Sequence, residues 1–147
     1  MTPVTKLSEP AYRAEILVRF ADCDPAGIVF YPRYMAMLNN LVEDWCREVL
    51  DFSFPELITE RGWGLPTVHL DVDFPAASRL GEVLSAALFV RAVGKSSLHL
   101  TIHLAGPDGT DRVRADLVLV LTDRDLGRSR PLPDELRARL AALQASR

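Results

Sequence analysis

Val18-Arg19-Phe20-Ala21-Asp22-Cys23-Asp24-Pro25-Ala26-Gly27-Ile28-Val29-Phe30-Tyr31-Pro32-Arg33-Tyr34 is where the chain passes from one hydrophobic period to another. On its N-terminal side, Glu15 to Phe20 alternates, with Ile16, Val18 and Phe20 on one face and Glu15 and Arg19 on the other, the period of a half-buried strand. On its C-terminal side, from Pro32 to about Leu50, the apolar residues Leu38, Leu41, Val42, Trp45 and Val49 recur at three- and four-residue spacing. Asn39, Asn40, Glu43, Asp44 and Arg47 fall between them, so the segment is an amphipathic helix of about 27 Å at 1.5 Å per residue. Pro32 suits its first turn, where a missing N–H costs nothing. The loop from Asp22 to Gly27 separates the two periods, because Pro25 cannot donate to a ladder and Gly27 opens backbone angles closed to other residues.

Asp51 to Gly64 reads as a connection with one short helical turn around Glu56 to Glu60. Period two then returns in Thr67 to Phe74, where Val68, Leu70, Val72 and Phe74 alternate with polar residues until Pro75 ends the strand. Val83 to Val93 is apolar on both faces, as in a well-covered interior strand. Ser97 to Leu104 and Arg112 to Leu121 flank the turn Gly106-Pro107-Asp108-Gly109. Pro133 to Leu143 suits a short C-terminal helix. One strand, one long helix and a run of antiparallel strands make an α+β layout in which the sheet must cover the helix. The expected organisation is a single domain over 1–147, with a tail at 1–12 and a C-terminal helical segment at 131–147. Leu17, Phe89, Val118 and Val120 fall on the far side of the sheet, which predicts a second buried face and an oligomer.

A chain of 147 residues supplies one core. A net charge of −3, with the basic residues scattered, argues against a nucleic-acid partner. Met1 to Pro10 is too polar for a signal peptide and no apolar run is long enough to span a bilayer, so a cytoplasmic location is expected, with Cys23 and Cys46 reduced.

Chemistry concentrates in the loop before the helix. Asp22 and Asp24 flank Cys23 just upstream of a helix N-terminus, whose unpaired N–H groups suit an oxyanion. Phe30 and Tyr31 have no capping side chain, which leaves those amides for a ligand. A carboxylate beside such donors attacks a carbonyl carbon or activates water. By residue type alone an Asp-rich turn before a helix also serves as a cap, and both readings stand. His99 and His103, four apart on a strand, have α-carbons about 13 Å apart, too far to share one ion. His69 lies on a polar strand face, as a core or interface histidine or as part of a pocket. No Gly-x-Ser-x-Gly elbow is present.

The stretch from Val18 to Tyr34 closely resembles the signature of the 4-hydroxybenzoyl-CoA thioesterase family, which includes the thioesterases associated with the Tol–Pal system. The resemblance continues more weakly through Glu60-Arg61-Gly62, Phe74 to Ser78, Gly94-Lys95-Ser96 and Arg128 to Pro133. It implies a hot-dog fold and hydrolysis of an acyl-CoA thioester, of an aromatic, benzoyl-type acyl group, with no cofactor. Asp24, directly before Pro25, falls on the family's catalytic aspartate, as nucleophile or general base, with Asp22 as its supporting or loop-bonding partner. The Tyr31 N–H falls on the amide that holds the thioester oxygen. Lys95, Arg128 and Arg130 fall on residues that meet the coenzyme A phosphates, and Ser96 adds a hydroxyl beside them. Asn39 stands where the aromatic prototype carries an acidic residue that binds the para-hydroxyl, so hydroxylated, amino-substituted and unsubstituted aryl groups stay open. A second hot-dog lineage uses a helix glutamate, a position Glu43 superficially offers; beside Asp24 in its motif, Glu43 reads as a polar or interface residue. The resemblance also implies a homodimer or homotetramer with active sites between subunits. Aliphatic acyl-CoA or acyl-carrier-protein thioesters are the alternative substrates, and a non-catalytic acyl-binding protein is the alternative outside the class. A hot-dog dehydratase would need a histidine beside the acidic loop, whereas all three lie on later strands.

Overall fold

The computed structural model describes residues 9–125 and 127–144; the first eight residues of the expected tail, Lys6 among them, and the last three of the C-terminal segment lie outside. The chain runs through β1 (Tyr12–Leu17), a 3-10 turn (Phe20–Asp22), α1 (Tyr31–Glu48), a single π-type turn (Glu56–Glu60), β2 (Trp63–Gly64), β3 (Thr67–Asp73), β4 (Val83–Val93), β5 (Ser97–Ala105), β6 (Asp111–Val120), β7 (Thr122–Asp123), β8 (Arg128–Ser129) and α2 (Asp134–Leu143). Five strands form one antiparallel sheet in the order β1-β4-β5-β6-β3, and β2-β7-β8 form a small second sheet. This is the α+β hot-dog arrangement, one long helix wrapped by a sheet.

Alternation on the three interior strands supplies the wrapping surface. Leu84, Leu88 and Val90 of β4, Leu100, Ile102 and Leu104 of β5, and Val113 and Leu117 of β6 are all buried. Opposite them, α1 presents Tyr34, Met37, Leu38, Leu41, Val42, Trp45 and Cys46. Trp45 has no exposed surface, and truncating a side chain of that size costs about 3–5 kcal/mol.

Two expectations need correction. The first strand begins at Tyr12 and ends at Leu17, and Phe20, assigned to its buried face, is 83% exposed. The cause is local: the Asp22 carboxylate accepts the Arg19 N–H at 2.9 Å, diverting the backbone from the ladder and closing the 3-10 turn. The strand expected over Thr67 to Phe74 is β3, Thr67–Asp73, without the expected alternation: a bulge interrupts it between Thr67 and His69, it is an edge paired to β6 alone, and Val68 is 60% exposed, with Leu70 and Phe74 also open. On the far face of the sheet Leu17 is exposed and Val118 and Val120 are half-buried, while Phe89 is covered by the Arg91 guanidinium at 4.9 Å and the His103 ring at 5.9 Å. The strands β2, β7 and β8, two residues each, are too short to carry a period.

One buried cation ties the far end of the sheet together. Arg112, 5% exposed, donates to Glu82 at 2.9 Å, Asp108 at 3.1 Å, Thr110 at 3.1 Å and the Ala77 carbonyl at 2.8 Å. A Cβ on Gly106 would collide with that guanidinium, which explains glycine at the first position of the hairpin turn. Gly106→Ala should therefore lower stability by about 1–3 kcal/mol in urea unfolding; an unchanged midpoint would mean that Arg112 moves aside freely. Hydrogen bonds from Thr110 and Arg112 hold the Asp108 carboxyl down at about 2 from an ordinary 3.8. Because the folded-state value is the lower one, this contribution is present above 3.8 and fades as pH falls toward about 2. The stability difference between wild type and Arg112→Met should narrow over that interval.

Candidate active site

The Asp22–Phe30 segment is a small hairpin laid across the start of α1. Cys23 bridges Val29, the Asp24 N–H donates to the Ile28 carbonyl at 3.0 Å, and the Phe30 N–H donates to the Asp22 carbonyl at 2.9 Å. At its tip Asp24 to Gly27 closes a turn: Gly27 N–H meets the Asp24 carbonyl at 2.9 Å, and Asp24 Oδ1 accepts the Ala26 N–H at 2.9 Å. Gly27 sits at φ +78°, a left-handed angle that favours glycine. Asp24 is half-buried, and its side chain has no cationic partner among the described residues.

Asp22 is spent differently. Its carboxylate is buried, accepting the Arg19 N–H through Oδ2 and the Arg33 guanidinium at 3.2 Å and 3.3 Å through Oδ1. That pair pins the loop to the first turn of α1 and leaves Asp24 as the carboxylate of the loop that faces solvent.

Accounting for the first-turn donors singles out one amide. The Phe30 N–H is taken by Asp22, Pro32 has none, and the Arg33 N–H returns to the Phe30 carbonyl at 2.8 Å. No side chain caps the helix. The Tyr31 N–H is left without a partner among the described residues, at the positive end of α1. The Tyr31 ring is 63% exposed and leans on Phe30 and Phe74, while Tyr34 stacks on Phe74 at 5.5 Å.

Two separate apolar depressions lie against α1. One, near the helix start, is lined by Val29, Tyr31, Tyr34 and Phe74, with Pro75 to Ala77 beyond. The other is a cleft of ≈ 170 Å³ between Met35, Leu38 and Val42 of α1 and Leu70 and Leu117 of the sheet. Asn39 lines that cleft and is, with Thr67, its polar side chain.

The residues expected to meet phosphates gather elsewhere. Lys95 and Ser96 form the β4–β5 turn, where the Lys95 carbonyl accepts the Leu132 N–H and the Ser96 carbonyl accepts the Leu121 N–H. The Arg130 N–H donates to the Leu121 carbonyl, which brings that arginine to the same end of the fold. Lys95 and Arg128 are exposed. Arg130 is engaged, with its guanidinium 3.9 Å over the Trp63 ring and 2.9 Å from Asp123. The Asp24 loop, by contrast, follows Leu17, which pairs with Val83 at the opposite end of β4. The 11 residues of β4 separate the two groups by roughly 35 Å.

The other titratable candidates stand apart. His69 is exposed on β3, His99 lies 3.7 Å from Asp116, and His103 packs on Phe89. Glu43 is half-buried beside Cys46, whose thiol burial pushes up to about 12. Sequence patterns missed Ser78, which has no exposed surface; its hydroxyl accepts the Tyr34 O–H at 2.8 Å and its carbonyl accepts the Val29 N–H at 2.9 Å. Neither contact has a sequence signal, since 44 residues separate Tyr34 from Ser78.

Comparison with known proteins gives this geometry a family. Residues 18–140 match the model of the thioesterase-like superfamily. A 1,4-dihydroxy-2-naphthoyl-CoA hydrolase of Synechococcus elongatus is 25% identical over 126 residues, 85% of this chain and 91% of the relative. A 4-hydroxybenzoyl-CoA thioesterase of a Pseudomonas species is 26% identical over 120 residues, 78% and 85% of the two chains. Among solved structures, a 1,4-dihydroxy-2-naphthoyl-CoA thioesterase from Synechocystis superposes with a TM-score of 0.81 at 22% identity, covering 90% of this chain and 96% of its own. With the helix, the strands β3 to β6 and the Asp24 loop inside the matched span, this chain belongs to the thioesterase-like superfamily.

Proposed function

We propose that the protein hydrolyses acyl-CoA thioesters of an aromatic acyl group, with Asp24 as its catalytic carboxylate. The observation that carries this reading is the pairing of a carboxylate without a cationic partner, Asp24, bonded only to a turn amide, with an unengaged helix N-terminal amide, Tyr31, directly after the same small hairpin. The Tyr31 N–H stabilises the oxyanion that forms when the thioester carbonyl is attacked. Asp24 either attacks that carbonyl, giving a mixed anhydride that water then opens, or takes a proton from the attacking water. The thiolate of coenzyme A leaves in both routes.

The lining of both depressions supports an aryl substrate. Tyr31, Tyr34 and Phe74 wall the one at the helix start, and Asn39, whose amide both donates and accepts, lines the apolar cleft beside it on α1. Names among the relatives point the same way, since both the naphthoyl-CoA hydrolase and the hydroxybenzoyl-CoA thioesterase act on ring-bearing acyl groups.

The separation of Asp24 from Lys95, Ser96, Arg128 and Arg130 along β4 supports an assembly in which one copy supplies the carboxylate and another grips the nucleotide. The open β3 edge, with Val68 and Leu70 exposed, is the surface for that second copy. A homodimer completes the site, and a homotetramer is compatible with it.

Asp24→Asn should cut turnover on the order of 10²- to 10⁴-fold with folding intact, and near-normal rates would end the mechanism. Single-turnover hydrolysis in ¹⁸O-water separates the two routes, because label recovered in Asp24 requires the anhydride. A panel of benzoyl, hydroxybenzoyl, short-chain and long-chain CoA esters should favour the aryl esters, whereas a preference for long chains would assign the aliphatic alternative. Lys95→Ala should raise KM for CoA esters on the order of tenfold and leave nucleotide-free pantetheine thioesters unaffected. Equal effects on both substrates would remove Lys95 from the phosphate site.

A further inference from the structure

The loop between β3 and β4 is the seat on which the Asp24 hairpin rests. The Ser78 carbonyl accepts the Val29 N–H at 2.9 Å, the Leu80 N–H donates to the Gly27 carbonyl at 3.0 Å, and Arg79 bridges Ile28. The Ser78 hydroxyl accepts the Tyr34 O–H, so the same loop also fixes the first turn of α1. Both halves of the proposed site, the Asp24 turn and the Tyr31 amide, are therefore referenced to residues 77–82.

That loop is in turn held by Arg112. Its Nη1 donates to the Ala77 carbonyl at 2.8 Å and to Glu82 Oε1 at 2.9 Å, one anchor at each end of the loop. Glu82 Oε1 also accepts the Arg79 N–H at 2.6 Å. Arg112 itself stands on β6, so the brace is rooted in the sheet, and the guanidinium's other arm reaches Asp108 in the β5–β6 turn. Lysine, with one nitrogen, cannot span these partners as the planar fork does.

We infer that Arg112 is a positioning residue of this active site, clamping the 77–82 loop so that the Asp24 turn and the helix N-terminus keep the separation that thioester attack requires. The inference rests on the assignment of Asp24 and Tyr31. Arg112 touches no substrate; it acts through Ala77, Ser78 and Leu80. Its effect therefore falls mainly on kcat, because neither the cleft beside Asn39 nor the distant phosphate-binding residues include Arg112 or the 77–82 loop.

The test measures steady-state kinetics of Arg112→Met, Arg112→Lys and the double variant Glu82→Met/Arg112→Met, each at a temperature well below its own unfolding midpoint. Removing both charges lets the apolar replacements recover stability without restoring the clamp. The expected result for Arg112→Met is a kcat lowered by roughly ten- to a hundredfold with KM within about twofold of wild type. Arg112→Lys should recover part of the loss, and the double variant should regain its unfolding midpoint but not its kcat. If kcat returns together with stability in the double variant, Arg112 is merely structural and the inference fails. Full kcat in the folded Arg112→Met or Arg112→Lys protein overturns it equally. Should Arg112→Met not fold, Arg112→Lys and the double variant decide. Asp24→Asn, assayed in parallel, separates the two ideas: an inactive Asp24→Asn with fully active Arg112 variants sinks only the clamp, whereas an active Asp24→Asn sinks the catalytic assignment and the clamp with it.

Discussion

Coverage of the apolar stripe of α1 by the inner face of the sheet is the constraint from which the remaining structure follows. Tyr34, Leu38, Leu41, Val42 and Trp45 lie along one side of an 18-residue helix, and each must leave water. Three adjacent strands, β4, β5 and β6, supply the complementary face. Once the helix lies against that face, its N-terminus has to emerge at one end of the sheet. The Asp22–Phe30 hairpin is the only chain available there to connect it to β1.

At that end the interactions change from apolar to polar. The hairpin is fastened on one side by Asp22 through Arg19 and Arg33, and on the other by the 77–82 loop through Ser78 and Leu80. The Asp22 carboxylate and the Ser78 hydroxyl are spent on protein partners, whereas Asp24 keeps only a turn amide and the Tyr31 amide has no partner among the described residues. Catalytic potential here is a matter of which groups the fold leaves unspent. A buried carboxylate with three donors is a fastener, while an otherwise similar carboxylate two residues on, bonded by a single turn amide, is free to react.

The same packing leaves an apolar cleft on the β3 side of the helix. Leu70 and Thr67 of β3 line it opposite Met35, Leu38 and Asn39 of α1. Exposed Val68, Leu70 and Phe74 are apolar residues that one copy of the chain does not bury. Cleft and open edge both follow from the place of β3 at the margin of the sheet.

The sequence by itself determined the elements whose period is long enough to be read. The helix, its uncapped start and the strands β3 to β6 follow from spacing alone, and the motif around Asp24 marks the loop that matters. What only the tertiary structure decided is anything set by partners distant in the chain. Phe20 is exposed because Asp22 bends the strand away, β3 is an edge because β6 alone pairs with it, and Phe89 is covered by Arg91 and His103 rather than left bare. The roles of Ser78 and Arg112 arise from contacts across 44 and 35 residues. The physical reason is that periodicity records which face of an element is buried, whereas hydrogen bonds between loops depend on where those elements end in space.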